Sequence, residues 1–279
     1  MAELHTVKLS VVTVCFNSAE TLEGTIRSVL GQDYGDVEYI VVDGGSTDGT
    51  LDVLAEYDGR IAEWISEPDR GIYDAMNKGI QRATGEIVGF LNADDAYADE
   101  RVLSDVAGAM AVAGCDAVYG DLVYVSPKDG HRVVRYWQTG LYKPKSFYSG
   151  WVPPHPTFFC RKSLFDKFGG FDPSYEIAGD FELMLRLIEK HRIGVRYLQR
   201  PFVRMRAGGR ANTVQGIFQG NREIVRAFGS NGLKFPLRFF CVKPFRKVWQ
   251  VVRRRSKEVF LSERGADCAG EATQRTDKT

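Results

Sequence analysis

From residue 8 to residue 91 the chain alternates short, Val- and Ile-rich apolar runs with longer amphipathic ones, and this rhythm constrains the fold more than any other feature. The segment 8–16 (KLSVVTVCF) reads as a strand, and the polar turn Asn17-Ser18 leads into a helix over 19–32. A second strand covers 37–42 (VEYIVV), apolar at nearly every position, as a parallel strand covered on both faces must be. It ends in the loop Asp43-Gly44-Gly45-Ser46-Thr47-Asp48-Gly49-Thr50, with a helix beyond it to about residue 57. A strand near 61–66, a helix over 72–83 and a strand over 86–91 complete the series. Such alternation specifies βαβ units in a mainly parallel, helix-flanked sheet, an α/β fold.

After Asn92-Ala93-Asp94-Asp95, a helix over 100–114 and a strand over 117–125 are expected. The rhythm then breaks in the aromatic, proline-rich stretch 136–156, and helical pattern returns at 180–190 and 213–228. Net charge is +1, which gives no global electrostatic case for nucleic acid as partner. The five cysteines, Cys15, Cys115, Cys160, Cys241 and Cys268, show no C-x-x-C spacing, so neither zinc nor a disulfide framework is supported. The first nine residues hold no long apolar region, and no apolar run reaches the roughly 18–20 residues of a membrane span. A cytoplasmic setting is the expectation.

In an open α/β sheet, ligands bind in the crevice beyond the carboxyl ends of the strands. Carboxylates stand there: Asp43 after the second strand, Asp94 and Asp95 after the fourth. Asp43 is placed to accept from a base N–H or a ribose hydroxyl. Asp94 and Asp95 offer hard oxygen ligands to Mg2+ or Mn2+, cations that bridge to a diphosphate. Each group alone has an ordinary alternative, because short carboxylates commonly satisfy backbone N–H groups in turns. Their joint occurrence at successive strand ends favours a site. The first strand is followed by Asn17-Ser18-Ala19-Glu20, not G-x-G-x-x-G, and no G-x-x-x-x-G-K-[ST] occurs, so glycine-nest nucleotide sites are excluded.

Taken in order, these segments resemble the family 2 glycosyltransferases, inverting enzymes of the GT-A fold. The matching text is 11–17 (VVTVCFN), 41–50 (VVDGGSTDGT), 67–79 (EPDRGIYDAMNKG) and 85–95 (GEIVGFLNADD). Similarity runs from about residue 9 to residue 213 and points to the branch that builds bacterial exopolysaccharide, O-antigen and envelope glycolipids. The resemblance implies a catalytic domain over 1–230, with a nucleotide-sugar half at 7–115 and an acceptor half at 116–230. It implies that Thr13, Cys15, Asn17 and Asp43 hold the nucleoside and that Arg70 and Lys78 contact phosphate. Asn92-Ala93-Asp94 stands at the D-x-D position, with Asp94 and Asp95 as metal ligands and Asn92 as a donor contact. Asn92 departs from the pattern, since an amide can contact ribose but leaves open which aspartate binds the cation directly. The alternative for Arg70 and Lys78 is a loop charge and a solvated helix face.

Inverting transfer needs one base to deprotonate the acceptor hydroxyl as it attacks the anomeric carbon opposite the leaving group. Asp180, in Ile177-Ala178-Gly179-Asp180-Phe181-Glu182-Leu183, resembles the family's base motif; without the resemblance it reads as an N-cap. Glu182, two positions on, points elsewhere on a helix. By the same resemblance His155 lies near the diphosphate or acceptor, its alternative being a structural histidine in the turn Pro154-His155-Pro156. Gly169-Gly170-Phe171-Asp172 reads as a turn shaping the acceptor wall, and Arg206-Ala207-Gly208-Gly209 as a loop closing over the diphosphate. Tyr148 and Trp151 are candidates for sugar stacking or for the core.

Residues 234–255 (KFPLRFFCVKPFRKVWQVVRRR) interleave cations with aromatic and aliphatic side chains. That suits a helix in a membrane interface, or one packed on the catalytic domain. The extension is bounded at 231–262, and the polar tail 263–279 is expected to be disordered. The expected activity is transfer of a hexose from a nucleoside diphosphate to a saccharide or polyprenyl-linked acceptor, at the inner face of the cell membrane. One rival is a nucleotidyltransferase of related fold, which would want a glycine-rich basic loop after the first strand. The other is a non-catalytic scaffold, against which the Asp43, Asp94, Asp95 and Asp180 set argues.

Overall fold

The computed structural model describes residues 7–128, 132–208, 213–236 and 239. Strands β1 (Leu9–Cys15), β2 (Val37–Asp43) and β3 (Glu63–Ser66) run parallel, joined through α1 (Leu22–Leu30) and α2 (Thr50–Glu56). Helix α3 (Ile72–Arg82) carries the chain back to β4 (Ile87–Phe90), which pairs parallel with the free side of β1. The order β3-β2-β1-β4 therefore has its switch point between β1 and β4, where an open sheet gathers ligands.

The second half supplies β5 (Asp95–Tyr97), α4 (Val102–Met110), β6 (Ala117–Val125), β7 (Val133–Trp137), β8 (Phe159–Arg161), α5 (Lys162–Phe168), α6 (Gly179–Met184), β9 (Val195–Arg206) and α7 (Val214–Ser230). The nine-stranded sheet continues β4-β8-β6-β9-β5, with β7 on β6. Strands β5, β7 and β8 run against their neighbours, so six of the nine share one direction. The sheet is mixed and mostly parallel, and its parallel half carries the first strand-end motifs.

The reading of doubly covered strands holds because β1 is buried at every position. Val12 and Val14 join Ile40 and Val42 in one core with α3 and α6; Leu9, Val11 and Cys15 join Tyr39 and Val41 in the other, with α1 and α4. Each such aliphatic side chain contributes about 1.5–3 kcal/mol. Helix α3 lies so close to β1 that a Cβ on Gly79 would fall 2.3 Å from Val12 Cγ1.

Several expected boundaries move. The strand expected over 61–66 starts only at Glu63, with Ile61 buried before it as an anchor. The helix expected over 100–114 is the shorter α4. The helix over 180–190 is α6 followed by a π-helical turn, Leu185–Lys190. Apart from 231–236 and 239, the C-terminal extension and tail lie outside the described residues. Among the described residues no helix is long and apolar enough to cross a membrane.

Candidate active site

At the end of β1, Cys15 pairs across the sheet with Asp43 at the end of β2. Asp43 is fully buried, and its Oδ2 accepts from the Gly45 N–H (3.0 Å), the Ser46 N–H (2.9 Å) and the Ser66 hydroxyl (2.7 Å). Its Oδ1 accepts from the Ser46 hydroxyl and, at 3.6 Å, the Cys15 thiol. Burial alone would raise the pKa of Asp43, but these donors outweigh it and hold the carboxyl below its ordinary value. Asp43, the residue expected to hold the nucleoside, accepts bonds from the loop that follows it. Burial, then the Asp43 charge, pushes the Cys15 thiol up, so it stays protonated. Thr13 is fully buried and accepts from the Tyr39 hydroxyl at 3.1 Å.

Asn17, at φ 49°, ties the turn after β1 to the loop after β2. Its side-chain oxygen accepts from the Thr47 N–H (2.9 Å), and its own N–H donates to the Ser46 hydroxyl (2.7 Å). On this platform the ring of Phe16 is 61% exposed. It lies beside Gly44, where a Cβ would fall 2.5 Å from Asp69 Oδ2 and 3.4 Å from the Phe16 ring. A bare aromatic face, a side-chain-free backbone and a carboxylate thus converge. Sequence reasoning missed Phe16 and Asp69; the available signal was an aromatic placed just past a wholly buried strand.

Beyond β4 the two aspartates separate because Asp95 begins β5, and neighbouring residues entering a strand face opposite ways. Asp94 is exposed, yet its surroundings crowd it enough that burial raises its pKa, opposed by the Arg206 charge. Asp95 is buried; Asn92 Nδ2 donates to its Oδ2 at 2.9 Å, while its Oδ1 has no hydrogen-bond partner. Burial, then the Asp94 charge, drives the Asp95 pKa well up. An orphaned carboxylate oxygen beside a second, solvent-reached carboxylate is a donor set that fits a hard divalent cation. Among the described residues no three His, Cys, Asp or Glu side chains form a chelating group. A cation sharing substrate phosphates needs only one or two protein carboxylates.

On the acceptor side, Asp180 lies in the first turn of α6, where its Oδ1 accepts from the Phe181 N–H at 2.7 Å. Burial pushes its pKa up to about 6, moderated by the Phe181 amide and the neighbouring Tyr73 hydroxyl. The α6 start is held by Glu223 of α7, which accepts from the N–H groups of Glu176 (3.1 Å), Ile177 (2.9 Å) and Ala178 (2.7 Å). On β6 the Tyr124 hydroxyl is pushed up by burial, lowered by the Arg135 charge and raised further by Asp95 and Asp180.

His155 sits beneath, its ring 5.3 Å from Phe90 and 5.4 Å from Phe171. Burial lowers its pKa to about 4, and Nε2 has no partner, so it is a neutral ring in an apolar box. Arg70 pairs with Asp74 at 3.0 Å, and Lys78 binds Glu67 (3.0 Å) and the Pro68 carbonyl (2.8 Å), contacts that fasten the 67–74 loop. Glu182 is tied to Arg186 at 2.9 Å and to Asn231. Trp151 and Tyr148 belong to the core, Trp151 donating to the Thr139 carbonyl at 2.8 Å.

Comparison with known proteins follows the same lines. The family described as Glycosyl transferase family 2 matches residues 10–169. An uncharacterised glycosyltransferase of Mycobacterium tuberculosis is 33% identical over 195 residues, 64% of this chain and 68% of that protein. A PGL/p-HBAD biosynthesis glycosyltransferase of Mycobacterium bovis is 29% identical over 210 residues, 74% of this chain and 79% of that one. Among solved structures, the mannosyltransferase PcManGT of Pyrobaculum calidifontis, in complex with GDP-Man and Mn2+, superposes with a TM-score of 0.61 at 20% identity, covering 97% of this chain and 76% of its own. S. aureus TarS in complex with UDP-GlcNAc gives 0.62 at 18% identity, covering 81% and 68%.

Proposed function

The chain belongs to glycosyltransferase family 2, and from that premise we propose that it is an inverting hexosyltransferase moving a sugar from a nucleoside diphosphate to a hydroxyl of a saccharide or lipid-linked acceptor. The observation that carries the reading is the carboxylate pair after β4, where Asp94 is exposed and the buried Asp95 keeps one oxygen without a hydrogen-bond partner. The relative named for PGL/p-HBAD biosynthesis supports a glycolipid acceptor, and the neighbours holding GDP-Man and UDP-GlcNAc support a nucleotide-sugar donor.

In this reading the donor base stacks on Phe16, with Gly44 and Asp69 at its edge, while Asn17 and Asp43 hold the loops that frame it. The diphosphate lies toward Asp94 and Arg206. Asp94 and Asp95 would hold a Mg2+ or Mn2+ ion, which would neutralise the charge that grows on the departing diphosphate. Asp180 receives the acceptor hydroxyl's proton as that oxygen bonds to the anomeric carbon. The bond from that carbon to the diphosphate oxygen breaks on the opposite face, and the nucleoside diphosphate keeps the electron pair. A carboxyl pKa near 6 suits a base that must be ionised at neutral pH yet accept a proton readily.

A nucleotide-release assay across UDP-, GDP- and dTDP-sugars, with Mg2+ or Mn2+, tests the reading. Release from one donor, lost in D180N while nucleotide binding persists, is expected; silence with every donor would sink it. The cationic, aromatic segment 234–255 is assigned to the surface of an anionic membrane. Deleting the chain from Lys234 should weaken binding to phosphatidylglycerol vesicles, and undiminished binding defeats that assignment.

A further inference from the structure

Three strands out from Asp95 stands a cation that the transfer chemistry above leaves unused. Asp95 pairs with Met205 on β9, Met205 with Tyr124 on β6, and Tyr124 with Arg135 on β7. Directly paired residues share a sheet face, so these four side chains form one row, in which Arg135 is about three strand spacings, roughly 14 Å, from Asp95. The Arg135 guanidinium lies 4.4 Å from the centroid of the Tyr124 ring and 5.5 Å from that of Trp137.

What marks Arg135 is a buried Nε with no acceptor, held between two aromatic faces. Arg161, also partly sheltered, donates to the carbonyls of Cys115 (3.2 Å) and Met110 (3.1 Å), and Arg186 donates to Glu182 and to the carbonyls of Gly169 and Gly170. Among the described residues Arg135 makes no ion pair and no hydrogen bond, and its buried Nε is unpartnered. Aromatic faces attract the charge but satisfy none of the five N–H donors. Sheltered donors of this kind are costly unless a partner arrives. Tyr124, the ring beneath Arg135, stands two strand spacings, roughly 10 Å, from Asp95 in the same row, so the cation lies on the sheet face that carries this carboxylate.

We propose that Arg135, backed by Tyr124 and Trp137, is an acceptor subsite for an anionic oxygen group, a phosphate or a carboxylate, carried on the acceptor at a distance from the reacting hydroxyl. The inference rests on the glycosyltransferase reading and narrows it: the acceptor is charged. An anion entering beside Asp94, Asp95 and Asp180 would be repelled, and a fixed guanidinium offsets that repulsion while its planar fork takes the oxyanion edge-on. The flanking aromatic faces suit the apolar side of a sugar or a prenyl chain.

The test uses the full chain loaded with Mn2+ and whichever of UDP, GDP and dTDP binds tightest, so that added phosphate cannot enter the nucleotide site. Farnesyl diphosphate and glucuronate are titrated calorimetrically against farnesol and glucose. Wild type should prefer at least one anion to its neutral counterpart by about tenfold or more. R135Q should lose that preference, and R135K, which keeps the charge but not the planar fork, should keep only part of it. Preference for farnesyl diphosphate identifies a lipid carrier, and preference for glucuronate an acidic sugar. Equal binding of charged and neutral probes by wild type, or an unchanged preference in R135Q, overturns the proposal. Nucleotide-induced thermal stabilisation is measured in parallel. If no nucleotide stabilises either protein, the glycosyltransferase reading itself fails; if stabilisation is intact and anion preference is absent, only the acceptor inference falls.

Discussion

Asp180 shows how one side chain carries both chemistry and a cost in stability. Its folded pKa near 6 stands above the ordinary 3.8 because burial disfavours the charge. Ionisation therefore opposes folding: the penalty is absent below the ordinary pKa, grows as pH rises through the folded value, and is complete above it. D180N should lose turnover by about 10²–10⁴-fold. It should also melt higher than wild type at pH 7–8, with the gain fading as pH falls toward 4; a D180N protein less stable at pH 8 contradicts the burial argument. In the wild type, kcat/KM should fall as pH drops below about 6, and a profile flat down to pH 4.5 would remove Asp180 as base. At Phe16 the expected loss is milder: F16A gives up stacking worth about 1–3 kcal/mol, so nucleotide affinity by calorimetry should drop roughly tenfold, and full affinity would exclude it from the base pocket. Asp43 stood out by its position at a strand end, and Asp180 only through the family resemblance. Phe16, Asp69 and Tyr124 did not, because exposure and cross-strand neighbours are properties of the folded sheet. The Tyr39 partner of Thr13 was equally hidden, because a threonine inside a strand looks the same whichever neighbour its hydroxyl meets.

Between elements, the clamp on α6 matters most. Glu223, nearly buried on α7, binds three successive N–H groups ahead of the α6 start and thereby aims the helix that carries Asp180. On the other flank Asn77 of α3 exchanges two bonds with the Phe171 backbone, both 2.8 Å, and fixes the wall that holds His155 and Tyr73. E223A leaves three amides unsatisfied and should cost about 2–4 kcal/mol in chemical denaturation. Its kcat should fall further than its nucleotide affinity, since α7 touches the base side only; equal loss in both would show that the clamp serves the whole fold. Helix α7 was readable from its apolar spacing, but nothing in that spacing named residues 176–178 as its cargo. Strand β5 escaped notice for a different reason: three residues are too few for a period-two pattern to register. Yet that short strand is what turns Asp94 outward and Asp95 inward.

Across the whole molecule, the parallel half was legible because both faces of β1 and β2 are covered, which forces continuous apolar runs. The mixed half, where β8, β6, β9 and β5 are assembled out of chain order, left no such trace. The halves meet at β4 and β8, one strand from the switch point between β1 and β4, so a donor bound at that point would touch the β1–β2 loops and the β4–β5 turn at once. Binding that spans both should stabilise the molecule as a unit. At a hundredfold excess over Kd the gain is about 2.7 kcal/mol, or a rise in Tm of roughly 5–10 °C for a chain of this size. The cation and the nucleotide should be separable within that rise. D94N removes the solvent-reached carboxylate but leaves the Phe16 platform untouched, so it should keep the part of the shift due to nucleotide alone and lose the increment added by Mn2+. F16A should show the reverse order, a small shift with nucleotide alone and a larger proportional gain from Mn2+. If D94N and F16A erase the same part of the shift, base and diphosphate are not held at two separate strand ends, and the arrangement of the donor across the switch point is wrong.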